Sequence, residues 1–223
     1  MSDKPLSAAI LNGGSAIRSL RVRPPLPPSS RRAARALLEA DLDEHLWVIE
    51  ALRTPSVLAA VSASVDVLLA VYAVGGKAIF FGNGGSAADS THLAAEMLGR
   101  FLRERRPLAA LALADNHSAV TAIGNDYGYG QTFSRQIEAL AGPGDVAVGF
   151  STSGSSANVA EALVMATTRD VRTIAFTGVD PGRVGEAAEV VVAVPSSATP
   201  RIQEAHMLIG HILCDRVERM ITS

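Results

Sequence analysis

Residues 78–86 read Ala-Ile-Phe-Phe-Gly-Asn-Gly-Gly-Ser, and apolar positions at helical spacing follow from Ala87 onward. Four apolar residues, a glycine-rich turn and then a 3.6-residue period describe a strand that feeds a helix through a tight loop. The texture recurs along the chain. Apolar runs of strand length lie at 109–113 (ALALA), 146–150 (VAVGF), 173–177 (TIAFT) and 190–194 (VVVAV). None alternates apolar with polar, as expected of strands covered on both faces. Helical periodicity fills 87–102, 119–123 with 131–141, 156–168, a short stretch near 182–188, and 201–221. Strand–helix alternation over five strands predicts an α/β fold, a three-layer α-β-α sandwich around a five-stranded parallel sheet.

N-terminal to that pattern, two helices are predicted. One runs from about Arg31 to Arg53, with Ser29 or Ser30 as its cap. Pro55 opens the second, over Val57–Val74, which is long and apolar. Ser62, Ser64 and Asp66 interrupt it, and its bulky residues (Leu58, Val61, Val65, Leu68, Leu69, Tyr72) recur at helical spacing. It therefore reads as a buried helix or an oligomer interface, not a membrane span. Residues 1–30 read as a disordered tail, with Asn12-Gly13-Gly14-Ser15, Arg18, Arg21, Arg23, Pro24, Pro25, Pro27 and Pro28 and no apolar run of signal-peptide length. The whole chain has 223 residues, 48% hydrophobic, with 20 Lys+Arg against 22 Asp+Glu. That balance fits a folded globular chain and gives no general pull toward nucleic acid or anionic lipid, so neither is expected as a partner. Cys214 stands alone and has no partner for an internal disulfide, which fits a reducing cytoplasm.

Ligands of parallel sheets bind beyond the carboxyl ends of the strands. Two loops there stand out: Gly82-Asn83-Gly84-Gly85-Ser86 after the first strand, and Ser151-Thr152-Ser153-Gly154-Ser155-Ser156 after the third, with five hydroxyls in six residues. Both put small residues and hydroxyls at a helix N-terminus, where amide N–H groups and the helix dipole suit a phosphate. Neither fits a dinucleotide fingerprint or a Walker A loop, so a small phosphorylated ligand is implied. His92 and Glu96, at i and i+4, leave one helix face together and can reach a common metal or substrate; taken alone, the spacing favours a solvated or capped pair. The last helix carries Gln203, His206 and His211 among mostly apolar neighbours, read either as a site or as core histidines bonded to carbonyls. Asn125 and Asp126, before Tyr127-Gly128-Tyr129-Gly130, read as a glycine-bearing loop, either an Asx-type turn or a binder of sugar hydroxyls. Arg103-Glu104-Arg105-Arg106 reads as a solvated helix end stopped by Pro107.

Four stretches, GNGGSAADSTHLAAEMLGRF, GNDYGYGQTFSRQIEAL, GDVAVGFSTSGSSANVAEAL and RIQEAHMLIGHIL, resemble the sugar-isomerase (SIS) domain, and more narrowly the phosphoheptose isomerase family. The resemblance covers roughly residues 35–223 and makes 31–223 one SIS domain with an N-terminal helical arm. It implies aldose–ketose isomerisation of D-sedoheptulose 7-phosphate to D-glycero-D-manno-heptose 7-phosphate in heptose precursor synthesis. Position by position, it implies substrate contacts at Asn83, Gly84, Gly85, Asn125 and Asp126, and a phosphate-side cradle of Ser151, Thr152, Ser153 and Ser156. His92, Glu96, Gln203 and His211 match the family's ligands for one Zn2+ per subunit, with Glu96 and Gln203 also near substrate. Glu96 as base and His211 as acid are the implied catalytic pair. Homotetramers with sites between subunits are the implied assembly.

Two rivals share the domain. One is a non-catalytic SIS protein that binds the bacterial replication initiator, with a similar final-helix motif; the presence of both Glu96 and His211 favours the enzyme. The other is a sugar-phosphate sensor, which usually carries a DNA-binding domain. The chain departs from the isomerase pattern at Ser155, where Asn is frequent, and at Pro200, where an acidic residue is common. A geometric tension accompanies the ligand set. Gln203 and His211, eight residues apart on one helix, are separated by about 12 Å of rise and about 80° of rotation, and His206 sits better relative to Gln203. A distortion at Gly210, an oblique helix, or ligands from separate chains would reconcile them.

Overall fold

The five apolar runs form five strands, all parallel, in a computed structural model that describes residues 28–222: β1 (Ala78–Gly82), β2 (Ala110–Ala112), β3 (Val146–Ser151), β4 (Arg172–Thr177) and β5 (Val190–Ala193). Their spatial order is β2-β1-β3-β4-β5. Both faces of the three central strands, β1, β3 and β4, are covered, and their successive side chains serve two separate cores. Phe80, Val146, Val148, Phe150, Ile174 and Phe176 face one core, and Ile79, Phe81, Ala147 and Ala175 the other. This explains the missing period-2 polarity.

Eight α-helices and a short 3-10 turn (Tyr129–Gln131) complete the described residues: α1 (Pro28–Ala51), α2 (Pro55–Ala73), α3 (Gly85–Leu98), α4 (His117–Tyr127), α5 (Ser134–Leu140), α6 (Ala157–Thr168), α7 (Gly182–Glu186) and α8 (Thr199–Thr222). The first core joins the sheet to α2, α3 and α8, and the second joins it to α5, α6 and α7. The three-layer α-β-α prediction therefore holds. The chain divides into two units, Met1–Glu39 and Ala40–Ser223. Within the described part of the first, Arg35 pairs with Glu39 at 2.7 Å. The tail predicted over residues 1–30 lies almost wholly outside the described residues. Ser29 and Ser30 fall inside α1, which begins at Pro28, so neither is its cap.

Helix α2 is apolar and long enough to cross a membrane by composition. In this fold it packs on α8 and the sheet through Val57, Val65, Leu68, Val71 and Tyr72, which makes it a core helix. Leu58, at the start of the same helix, is 56% exposed.

The chain leaves β1 for β2 on one side and returns past β1 to β3 on the other. The order therefore reverses between β1 and β3, and the crevice beyond their carboxyl ends is where such sheets take ligands. Both loops rich in glycine and hydroxyls open there, with Gly82 of β1 in register with Phe150 of β3.

Candidate active site

Helix α3 starts at the first loop, with Gly84 in the left-handed region (φ 58°) and the Ser86 N–H bonded to Asn83 O at 3.1 Å. Its exposed stripe carries His92 and, one turn on, the half-buried Glu96. From α8, His211 meets them. His92 Nε2 lies 2.9 Å from His211 Nε2 and 3.3 Å from Glu96 Oε1, and ligand atoms of all three fall within 4.8 Å of one another.

Gly210 makes this meeting possible. A Cβ there would stand 2.6 and 2.8 Å from the two methyls of Leu93, so the absent side chain lets α8 close onto α3. The flanking residues, His211 and His92, are thereby brought into contact. Helix α8 runs without a break from Thr199 to Thr222, through Gly210. The tension between Gln203 and His211 resolves along the length of α3. Gln203 lies against Gly85, while Gly210 and His211 further along α8 lie against Leu93 and His92 further along α3, so the helices run in the same direction. A Cβ on Gly85 would overlap the Gln203 amide, which packs directly on that backbone. Three of the four expected ligands thus meet, while Gln203 packs at the glycine loop.

His206 takes the core role. It is fully buried between Phe150 and Phe176, and its Nε2–H donates to Thr177 O at 3.1 Å, leaving Nδ1 without a partner. Burial lowers its pKa from 6.5 to about 4, partly opposed by that hydrogen bond. Below pH 6.5 the unfolded chain takes a proton that the folded chain refuses, so stability falls with pH down to about 4. The loss is about 1.4 kcal/mol per unit, about 3 kcal/mol in all. Urea unfolding at pH 7 and pH 4.5 measures it. His206→Leu should flatten that slope, and a variant that keeps the wild-type slope refutes the assignment.

The second loop is bonded within itself. Ser151 Oγ and Ser156 Oγ are 2.8 Å apart, as are Ser153 Oγ and Ser155 Oγ at 2.9 Å. Gly154 turns the loop in the left-handed region (φ 65°), with the backbone of Asp180 and Pro181 occupying the space of a Cβ. Thr152 follows Ser151 at the end of β3, and α6 starts at Ala157 with Ser156 as its N-cap.

Between the loops lies a network that no motif announced. Asn83 and the buried Asn158 exchange amide hydrogen bonds at 2.9 Å in both directions, Tyr129 OH donates to Asn83 Oδ1 at 2.8 Å, and Asn158 Nδ2 donates to Thr132 Oγ1 at 3.2 Å. The side chain of Asn83 is therefore oriented from α6 and from the turn at Tyr129–Gln131. Asn125 and Asp126 correct the expected loop: they belong to the last turn of α4, and Asn125 Nδ2 donates to Asp126 Oδ1 at 2.7 Å. Among the described residues no hydrogen bond joins either to the serine loop; the chain just after them supplies Tyr129 instead.

A family model of the SIS domain matches residues 48–178. The phosphoheptose isomerase of Citrifermentans bemidjiense is 51% identical over 185 residues, spanning 82% of this chain and 94% of its own length. The chain belongs to the phosphoheptose isomerase family. The Aquifex aeolicus phosphoheptose isomerase is 54% identical over 147 residues, 66% of this chain and 77% of its own. Among solved structures, the phosphoheptose isomerase of Neisseria gonorrhoeae superposes with TM-score 0.79 at 40% identity, covering 83% of this chain and 99% of that one.

The trio fits a divalent metal. Tetrahedral zinc with bonds of about 2.1 Å holds its nitrogen and oxygen ligands about 3.4 Å apart. The His92–Glu96 separation of 3.3 Å matches, and the imidazole pair at 2.9 Å needs to open only slightly. Two imidazoles and a carboxylate form a donor set that zinc accepts.

Proposed function

We propose that this phosphoheptose isomerase interconverts D-sedoheptulose 7-phosphate and D-glycero-D-manno-heptose 7-phosphate, with Glu96 and His211 as its proton-handling pair. The single observation that carries the reading is the convergence of a carboxylate and two imidazoles from α3 and α8. Its His92 and Glu96 sit on the helix whose N-terminus adjoins the glycine loop.

The reaction moves one hydrogen between C1 and C2 and one proton between their oxygens. Glu96 takes the proton from C1 of the ketose, an enediol forms as the carbonyl oxygen gains a proton from His211, and Glu96 returns the first proton to C2. His211 then recovers a proton from O1, leaving the aldehyde. A carboxylate has two oxygens, so Glu96 can keep one beside His92 and present the other to carbon. We assign Zn2+, one per subunit, to His92, Glu96 and His211, leaving Gln203 at the glycine loop; when bound it would supply charge stabilisation for the carbonyl and the adjacent hydroxyl.

Ser151, Thr152, Ser153 and Ser156 with the α6 N-terminus hold the phosphate, while Asn83, Gly84, Gly85 and Gln203 bind the sugar between. Asn125 and Asp126 are assigned to the sugar hydroxyls on resemblance alone. From Gly85 to His92 is about 10 Å of helix at 1.5 Å per residue, room for a polyhydroxylated chain with its phosphate held remotely. A homotetramer with sites between subunits is also part of the reading, supported by Leu42, Leu46 and Trp47 of α1, which are 56–63% exposed. A cytoplasmic location accords with the buried single thiol of Cys214.

Incubation with sedoheptulose 7-phosphate and NMR detection of an aldose 7-phosphate tests the reaction; no aldose signal rejects it, and capture of the replication initiator without turnover favours the adaptor. Chelation should remove activity and zinc should restore it. Full turnover by metal-free protein would take the metal out of the reaction.

A further inference from the structure

The segment after α3 was read as solvated, yet Arg105 is buried. Its side chain and that of Glu218 are each 1% exposed, with Arg105 Nε 3.1 Å from Glu218 Oε1. Arg105 Nη2 donates to the carbonyl of Glu96 at 2.8 Å, and Nη1 to the carbonyl of Met97 at 2.9 Å. These carbonyls lie in the last turn of α3, where no intrahelical N–H remains to serve them. Glu218, seven residues beyond His211 on α8, accepts the backbone N–H groups of Phe101, Leu102 and Arg103 at 2.6, 2.8 and 2.9 Å. Burial would raise its carboxyl pKa; the three N–H bonds and Arg105 outweigh that and hold it below the ordinary value. Arg103 adds a link to Asp215 at 2.8 Å. The Phe101 ring, fixed by this anchoring of its backbone, stacks on His211 with centroids 5.2 Å apart and planes 23° from parallel.

We propose that Phe101, Arg105 and Glu218 are positioning residues, a clasp that holds the His211 ring and the Glu96 turn of α3 in register so that the His92–Glu96–His211 trio converges. The imidazole torsion is soft, and a flat partner restricts it. The ion pair alone would tie the segment to α8; it is the stacked ring and the bond to the Glu96 carbonyl that carry the constraint to the site. The proposal rests on reading that trio as the reaction and metal centre.

Phe101 is the residue to change, because Glu218→Gln and Arg105→Lys alter a buried pair and can unfold the chain. In Phe101→Leu, kcat should fall about tenfold or more with KM nearly unchanged, since misplacement of reacting groups by an ångström suffices for such losses. Zinc affinity, measured by competition with a chromogenic chelator, should weaken about tenfold, while the melting midpoint stays within a few degrees. Phe101→Tyr should restore both, as the flat ring is kept. Wild-type kcat and zinc affinity in Phe101→Leu overturn the clasp, and so does a Phe101→Tyr variant as impaired as the leucine. If the unmodified protein binds zinc but does not isomerise the sugar, the isomerase reading fails and the zinc arm still decides the clasp. If it isomerises without zinc affinity, the kcat arm decides.

Discussion

Glu96→Gln should lower turnover of sedoheptulose 7-phosphate by about 10³-fold or more, within the range of a lost general base. The amide matches the carboxylate in shape, so the packing of α3 on α8 and the bond from Arg105 to the residue-96 carbonyl persist. What goes is a group able to accept a proton from carbon. The variant should also cease to exchange the C1 hydrogen of the ketose with deuterated water, which separates loss of the base from loss of binding. Circular dichroism and melting establish that the fold is retained. A rate within tenfold of wild type would remove Glu96 from the chemistry.

His211→Asn should cost about 10²–10⁴-fold, by removing the proposed proton donor for the carbonyl oxygen. Asparagine keeps a polar group near His92 but titrates nowhere near neutrality, and it forfeits the stack on Phe101. The Gly210–Leu93 contact that brings the helices together is left in place, so the interface should survive. Metal content must be measured alongside rate. A variant that retains its metal and still turns over near normally would show that another group serves the oxygen.

The layered fold was open to reading because covered parallel strands are short, apolar and unalternating, and each was followed by a periodic stretch. The two site loops were visible for a similar reason: clustered glycine and hydroxyl residues after a strand are compositionally unusual. His92 and Glu96 needed only the helical repeat. The choice between His206 and His211 did not follow from that repeat, because it depends on which neighbour α8 meets. Gly210 decides that by admitting Leu93, and Phe150 and Phe176 claim the other imidazole. Asn158 and Tyr129 were missed because an isolated polar residue carries no pattern; their meaning arises only when α6 and the turn after α4 close on Asn83. Arg105 was misread since a run of charges usually faces water, and nothing local reveals a carboxylate more than a hundred residues away. Asn125 and Asp126 were placed in a loop because the glycines beyond them suggested an early turn, whereas α4 continues to Tyr127.

Helix α3 leaves the glycine loop at one end and bears His92 and Glu96 further along. On the proposed assignment it acts as a rigid ruler whose two marks are the glycine loop that grips the sugar and the reacting carbons. A sugar phosphate shorter by one carbon would have to release one mark to reach the other, so selectivity for chain length is written into backbone pitch and does not need a dedicated discriminating side chain.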